Sequence, residues 1–274
     1  MTKKRVLYIS QEIKPFLPET PISKTSRELP QKIQEAGKEI RVFMPRYGCI
    51  NERRHQLHEV IRLSGMNLII DDTDHPLIIK VASIPAAKMQ VYFIDNEEFF
   101  KRKTTLEDKN GKFYEDNDER ALFFCRGALE TVKKLGWVPD VIHCHGWMTS
   151  FVPLLAKKYF AEDPHFADSK IVFSAYDCEN EKFEADIQGK VAKEDGISKK
   201  DLDLVKEKDL NSLYKLGIQY ADAVVQGSET LPKDMLDFVK KSEKPFLAYQ
   251  NGDDFVKAYN KFYDTMIEEN TVMA

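Results

Sequence analysis

Glycine is scarce in this 274-residue chain, with 12 in all. Neither G-x-G-x-x-G nor G-x-x-x-x-G-K-[ST] occurs. The dinucleotide fingerprint and the P-loop need such glycines to bring backbone close to phosphate, so both readings lose their main support. Cysteine is also sparse: Cys49, Cys125, Cys144 and Cys178, with no C-x-x-C spacing. That pattern suits reduced thiols of a cytoplasmic protein rather than a disulfide framework. No run of about 18 apolar residues is present, so no transmembrane helix is expected. The opening Met-Thr-Lys-Lys-Arg passes directly into Val6-Leu7-Tyr8-Ile9, too short an apolar run for a signal-peptide core. Neither charge sign dominates. Lys plus Arg is 41 and Asp plus Glu 45, a net charge of −4 that argues against a nucleic-acid partner.

What is present is an alternation. Short runs rich in Val, Ile, Phe and Leu occur at Arg5–Ile9, Ile40–Met44, Leu77–Ala82, Val91–Ile94, Val141–Cys144, Ile171–Ser174, Ala223–Val225 and Phe246–Tyr249. Nearly continuous apolar runs of this kind suit strands of a parallel sheet covered on both faces. Amphipathic segments lie between them. In Asn117–Gly136 an apolar stripe runs through Ala121, Cys125, Ala128, Val132 and Leu135, and Gly136 stops it. The pattern predicts an α/β fold, a single Rossmann-like doubly wound parallel sheet. Arg53–Asp74 interrupts it as a meander or small hairpin. Ser198–Asp209 reads as a solvated helix capped by Ser198. A terminal helix, Phe255–Glu269, carries Phe255, Ala258, Tyr259, Phe262, Tyr263, Met266 and Ile267 on one face. It is expected to pack back on a body formed by residues 1–254.

Few residues suggest chemistry. His143 and His145 lie two apart at a strand end and so point to one face. In open α/β sheets that end is where ligands bind. Ligand contact and packing in the core both fit. As a metal site the pair is incomplete, because zinc takes at least three protein ligands. Asp201-Leu202-Asp203 matches a D-x-D pattern but sits in a Lys/Glu-rich helical segment, where a helix surface is the plainer reading. Asp71-Asp72-Thr73-Asp74 reads as a loop. No nucleophile–base–orienter set is complete, and no metal or cofactor is expected.

Several segments together resemble the glycogen synthase and starch synthase family, retaining glucosyltransferases of the two-domain GT-B architecture (glycosyltransferase family 5). They are Pro15-Phe16 with Glu28-Leu29-Pro30; the run Gly37 to Gly48 ending Pro45-Arg46-Tyr47-Gly48; Asp116-Asn117-Asp118-Glu119-Arg120; and Pro139-Asp140-Val141-Ile142-His143-Cys144-His145-Gly146-Trp147-Met148-Thr149. Ala221-Asp222, Ser228, Thr230 and Asn251-Gly252-Asp253-Asp254 extend the match. The resemblance covers the family's N-terminal catalytic domain over nearly the whole chain. It implies transfer of glucose from ADP-glucose to an α-1,4-glucan, without a metal. It makes Asp116, Asn117, His143, His145, Trp147 and Thr149 the candidates for contact with a glucan or malto-oligosaccharide.

The departures bear on the donor. Where the family has a Lys-Thr-Gly-Gly-Leu loop, gapless alignment places Pro18, Glu19, Thr20, Pro21 and Ile22. Lys24-Thr25 comes six residues too late to replace it. Glycines let backbone N–H groups approach a phosphate, and the lysine offsets its charge. Two prolines and a glutamate do neither, so a nucleotide sugar is expected to bind weakly or not at all. Gly146 and Met148 stand where the family has Asp and His, and Tyr176-Asp177 where it has His-Asn. The family's second Rossmann-like domain, which grips most of the nucleotide, is not in this sequence. Three readings follow: a divergent glucosyltransferase domain, alone or completed by a separate second-domain protein; a non-catalytic glucan-binding module, in effect a truncated pseudoenzyme; or a regulatory or assembly subunit.

Overall fold

A computed structural model describes residues 3–178, 180–182, 186–252 and 254–273. In chain order the elements are β1 (Arg5–Ser10), α1 (Pro21–Glu35), β2 (Glu39–Pro45), α2 (Glu52–His55), β3 (His58–Glu59), β4 (Met66–Ile70), β5 (Thr73–Ile84), β6 (Met89–Asp95) and α3 (Glu97–Phe100). They continue with α4 (Asn117–Lys134), β7 (Val141–His145), α5 (Phe151–Lys157), β8 (Lys170–Ala175), α6 (Ile187–Val191), α7 (Leu210–Tyr220), β9 (Ala223–Gln226), α8 (Lys233–Lys241), β10 (Phe246–Leu247) and α9 (Phe255–Met273).

The strands lie in the order β10-β9-β8-β7-β1-β2-β6-β5-β3, with β4 paired to β5. From β10 to β6 every pairing is parallel. The chain winds one way through β1 and β2 and the other way through β7, β8, β9 and β10. The order therefore reverses between β1 and β7, a topological switch point of the kind that forms a ligand crevice. The expected doubly wound sheet is present, though it is not wholly parallel. β5 runs antiparallel to β6, β3 and β4. The 3-10 turn Pro85–Ala87 between β5 and β6 is far too short for the crossover that a parallel pair needs.

The hairpin expected in Arg53–Asp74 is β4 turning into β5, with Asp71 and Asp72 in the left-handed region at φ 47° and 65°. Both carboxylates pair with Lys193. The segment after Ser198 is a 3-10 helix, Lys199–Glu207, closed by a capping box between Ser198 and Asp201. Asp201 pairs with Lys158 at 2.9 Å and Asp203 with Lys206 at 2.7 Å, so the D-x-D stretch is spent on surface ion pairs.

α9 lies beside α1 against the sheet. Its buried side chains, Tyr259, Tyr263, Met266 and Ile267, follow the i, i+4, i+7, i+8 spacing of an inward face. At the amino edge of the sheet the buried Lys38 binds α9 twice, through Asn260 Oδ1 and Asp264 Oδ1, each at 2.7 Å. No described helix is long and apolar enough to cross a membrane.

Candidate functional site

The carboxyl ends of β1, β7, β8 and β9 converge beside the start of α1. Here the two histidines meet as their spacing predicts, with ring centroids 4.0 Å apart. Both are fully buried. His143 bonds through Nδ1 to the Tyr263 hydroxyl (2.6 Å) and through Nε2 to Ser174 Oγ (2.7 Å). His145 bonds through Nδ1 to the Tyr176 hydroxyl (2.8 Å), and its Nε2 finds no partner among the described residues. Burial lowers the pKa of both rings. That of His145 falls to about 3, and His143, also opposed by His145, falls well below its usual value. Both imidazoles are therefore neutral near pH 7 and supply no cation to a phosphate.

The segment after β7 packs inward. Gly146 takes φ +88°, and Thr149 Oγ1 closes the turn on the Gly146 carbonyl at 2.7 Å. Trp147 is buried against Phe113, ring centroids 5.5 Å apart. Met148 receives the Tyr47 hydroxyl on its sulfur at 2.9 Å.

Asp116 and Asn117 start α4, but at another place. Asp116 forms a two-pronged pair with Arg102. Asn117 is fully buried, donating to the Leu106 carbonyl at 2.8 Å and accepting from Arg120. Asp116 lines an open depression of about 350 Å³ with Arg102, Asp108 and Tyr114. His145 and Asn117 are not on its wall. The structure thus does not join Asp116, Asn117 and His145 in one pocket. Asn117 holds the 101–116 loop instead of facing solvent, and tyrosines cover His145.

Arg120 anchors that loop. It is fully buried and donates to the carbonyls of Phe99 and Thr105, each at 2.8 Å, as well as to Asn117. Its guanidinium lies over the rings of Tyr47, Phe100 and Tyr114. The sequence carried a signal for this: a charged residue directly beside the apolar stripe at Ala121, inside a quoted motif. Nothing singled out Tyr263 or Tyr259 as histidine covers beyond their place in the α9 stripe.

Pro18, Glu19, Thr20 and Pro21 form the turn into α1. Thr20 caps the helix: its hydroxyl oxygen accepts from Ser23 N, and the Ser23 hydroxyl oxygen accepts from Thr20 N. Pro21 occupies the first helical position and has no N–H. The Thr20 hydroxyl donates to the Glu12 carboxylate at 2.5 Å. Glu19 pairs with Lys14, which lowers its pKa and keeps it ionised. A cavity of about 560 Å³ opens beside this turn, between α1, the Tyr249–Gly252 stretch and the first turn of α9. Its charged lining is Lys24, Lys32, Glu19 and Glu28, a balanced set. Among the described residues no group of three or more metal-ligating side chains gathers.

The sequence matches the starch synthase catalytic domain family over residues 5–244. Glycogen synthase of Chlorobium limicola is 40% identical over 173 residues, 63% of this chain and 35% of the relative. Glycogen synthase of Chlorobaculum parvum is 34% identical over 238 residues, 84% of this chain and 47% of the relative. The chain thus spans less than half the length of these curated relatives. Among solved structures, the catalytic domain of starch synthase IV from Arabidopsis thaliana, bound to ADP and acarbose, superposes with a TM-score of 0.74 at 21% identity. That match covers 92% of this chain and 52% of the plant chain. A mostly parallel sheet with this topology, matched to half of a GT-B glycosyltransferase, and a family match across 5–244 lead to one assignment: the chain belongs to the glycogen and starch synthase family, in its catalytic-domain portion.

Proposed function

We propose that this chain is the glucan-facing half of a glucosyl-transfer site, presenting an α-1,4-glucan or malto-oligosaccharide to which glucose passes from ADP-glucose. In this reading residues 1–254 form the domain and 255–274 its packed-back terminal helix. Both work in the cytoplasm without a metal. The grip on the nucleotide comes from a second Rossmann-like domain, on this polypeptide or a separate one, because one wall of a cleft neither excludes water nor clamps a diphosphate.

The observation that carries the reading is the closed start of α1. Helix N-termini bind phosphate through free N–H groups. Here Pro21 brings none, Thr20 already caps Ser23, and Glu12 and Glu19 place carboxylates alongside. A neutral glucan meets no such repulsion. Calorimetry tests this directly. Malto-oligosaccharide should bind saturably, whereas ADP-glucose should bind no tighter than about millimolar, roughly −4 kcal/mol. A micromolar constant for ADP-glucose would overturn the proposal.

A second reading, the non-catalytic glucan-binding module, draws on one observation. The turn into α1 offers no phosphate cradle, since Thr20 caps Ser23 and Pro21 brings no N–H, which leaves the donor side of a transfer site undeveloped. The two readings part in a transfer assay with a supplied second domain. Labelled glucose appears in the glucan under the first and not under the second.

A further inference from the structure

The amino edge of the sheet, remote from the carboxyl-edge crevice, holds a cavity of about 500 Å³. The end of α1, the first residues of β2 and the β5–β6 turn surround it. Its charged lining residues are Arg41 and Lys88, and no carboxylate lines it. That contrasts with the other two cavities described, which carry Glu19 and Glu28, or Asp108, Glu115 and Asp116. In a chain of net charge −4, a cavity lined by cations alone is a local departure.

Arg41 is held in place with bonding capacity left over. Its guanidinium lies 5.6 Å from the Tyr92 ring centroid and 5.4 Å from that of Trp137. Nη1 donates to the Tyr92 hydroxyl at 2.6 Å. Nε is buried and has no partner among the described residues. The nearby carboxylate, Glu39, accepts from Trp137 Nε1 at 2.5 Å and from Arg5 at 3.4 Å, and Arg41 acts on it through charge alone, without a hydrogen bond. Across the cavity Lys88 is exposed and ends the 3-10 turn in the left-handed region, φ 49°. Gln34, Ser83 and Gln90 add neutral donors, and Ile84, Pro85 and Met89 add an apolar wall. Near the end of α1 the Ile33 carbonyl accepts from Lys38 N–H and the Gln34 carbonyl from Gly37 N–H.

We infer that this cavity binds a small phosphomonoester. The phosphate lies between Arg41 and Lys88, and the organic body rests on Ile84, Pro85 and Met89. An arginine fixed by flanking rings presents its fork with little further loss of freedom, which suits the planar recognition of phosphate oxygens. The position at the amino edge makes the ligand a second occupant, bound together with anything at the carboxyl-edge crevice.

Titration calorimetry of the full chain at fixed ionic strength tests this, with inorganic phosphate and ribose 5-phosphate as probes and ribose as the neutral control. Ribose 5-phosphate should bind saturably and inorganic phosphate more weakly. Ribose should give no heat. Lys88→Asn, in which asparagine tolerates the left-handed turn, should weaken ribose 5-phosphate at least tenfold, and Arg41→Met at least as much. If Arg41→Met fails to fold, Lys88→Asn still decides, because its side chain is exposed. Absence of saturable binding, equal binding of ribose, or an unchanged constant in Lys88→Asn would overturn the inference. So would displacement of ribose 5-phosphate by malto-oligosaccharide, which would place the ligand at the other edge.

Discussion

The Tyr263 hydroxyl lies 2.6 Å from His143 Nδ1, joining the terminal helix to the central strand β7 across 120 residues of chain. Both side chains are fully buried. Removing the hydroxyl leaves a buried ring nitrogen without its partner, which costs about 1–3 kcal/mol. Tyr263→Phe should therefore lower stability by that amount in urea unfolding, with faster amide exchange concentrated in α9. Deleting residues from Phe255 onward should do more, since it uncovers the sheet beneath Tyr259, Tyr263 and Met266, and should yield aggregated protein. A concentration-independent dimer that becomes a well-folded monomer on that deletion would show that α9 serves assembly instead.

Acid should destabilise the protein through the histidine pair. Burial lowers the pKa of both rings in the folded state, that of His145 to about 3. Below the ordinary histidine value of about 6.5 the unfolded chain takes up protons that the folded chain refuses. Stability therefore rises with pH up to about 6.5 and is level above it. Each histidine adds a slope of about 1.4 kcal/mol per pH unit below that point. Glu194 works in the opposite direction. Burial raises its carboxyl to about 7, despite Arg126 at 2.8 Å. The folded state holds that extra proton between about pH 4.5 and 7, so this contribution fades as pH rises. Urea unfolding at pH 5, 6 and 8 should show a shallower acid loss in His145→Gln and a steeper one in Glu194→Gln. Parallel curves for wild type and both variants would contradict this account.

Arg120 has carbonyls and an amide as partners in place of a carboxylate. Arg120→Met keeps most of the aliphatic stem but leaves the Phe99 and Thr105 carbonyls and the Asn117 amide oxygen unsatisfied. At roughly 1–3 kcal/mol for each buried group, the cost should reach about 3 kcal/mol or more. The loss should be local as well as global. Limited proteolysis should cut the 101–116 loop of the variant well before the sheet unfolds.

The β-branched runs announced every strand of the parallel sheet to within a residue or two, because strands covered on both faces leave an unbroken apolar record. β10 is shorter than its run, Phe246–Tyr249. Phe246 is exposed on an edge, and the pairing stops at Leu247. β5, Thr73–Ile84, begins four residues before the run Leu77–Ala82 that announced it, and its direction was not legible, since an apolar run reads alike in either orientation and only the three-residue turn to β6 fixes it. At the site, the shared face of His143 and His145 followed from a spacing of two. Their burial did not, because it depends on Tyr263, 120 residues away, and on Tyr176 beyond the next strand. Asn117 could be read as a motif residue but not as the brace of a loop, since its partner Leu106 has no sequence mark.

Gly146 and Gln11 are fitted to each other at the carboxyl ends of β7 and β1. A Cβ on Gly146 would lie 2.9 Å from Gln11 Cβ and 2.9 Å from its Oε1. Gln11 is held there by its N–H on the His145 carbonyl at 3.0 Å, and its Oε1 accepts from Met148 N at 3.3 Å. The resemblance places an aspartate at position 146, where Gly146 stands against Gln11 in this chain. Gly146→Asp adds a side chain at φ +88° and presses it into Gln11. Overpacking of this kind costs about 1–3 kcal/mol, and the left-handed backbone adds to it. Gln11→Gly removes both atoms that the new Cβ would meet. In that background Gly146→Asp should cost at least about 1 kcal/mol less than in wild type, a coupling within the range for contacting residues. A double-mutant cycle by urea unfolding measures the difference directly. Costs that simply add would mean that Gln11 does not set the residue at 146, and that backbone conformation alone demands glycine there.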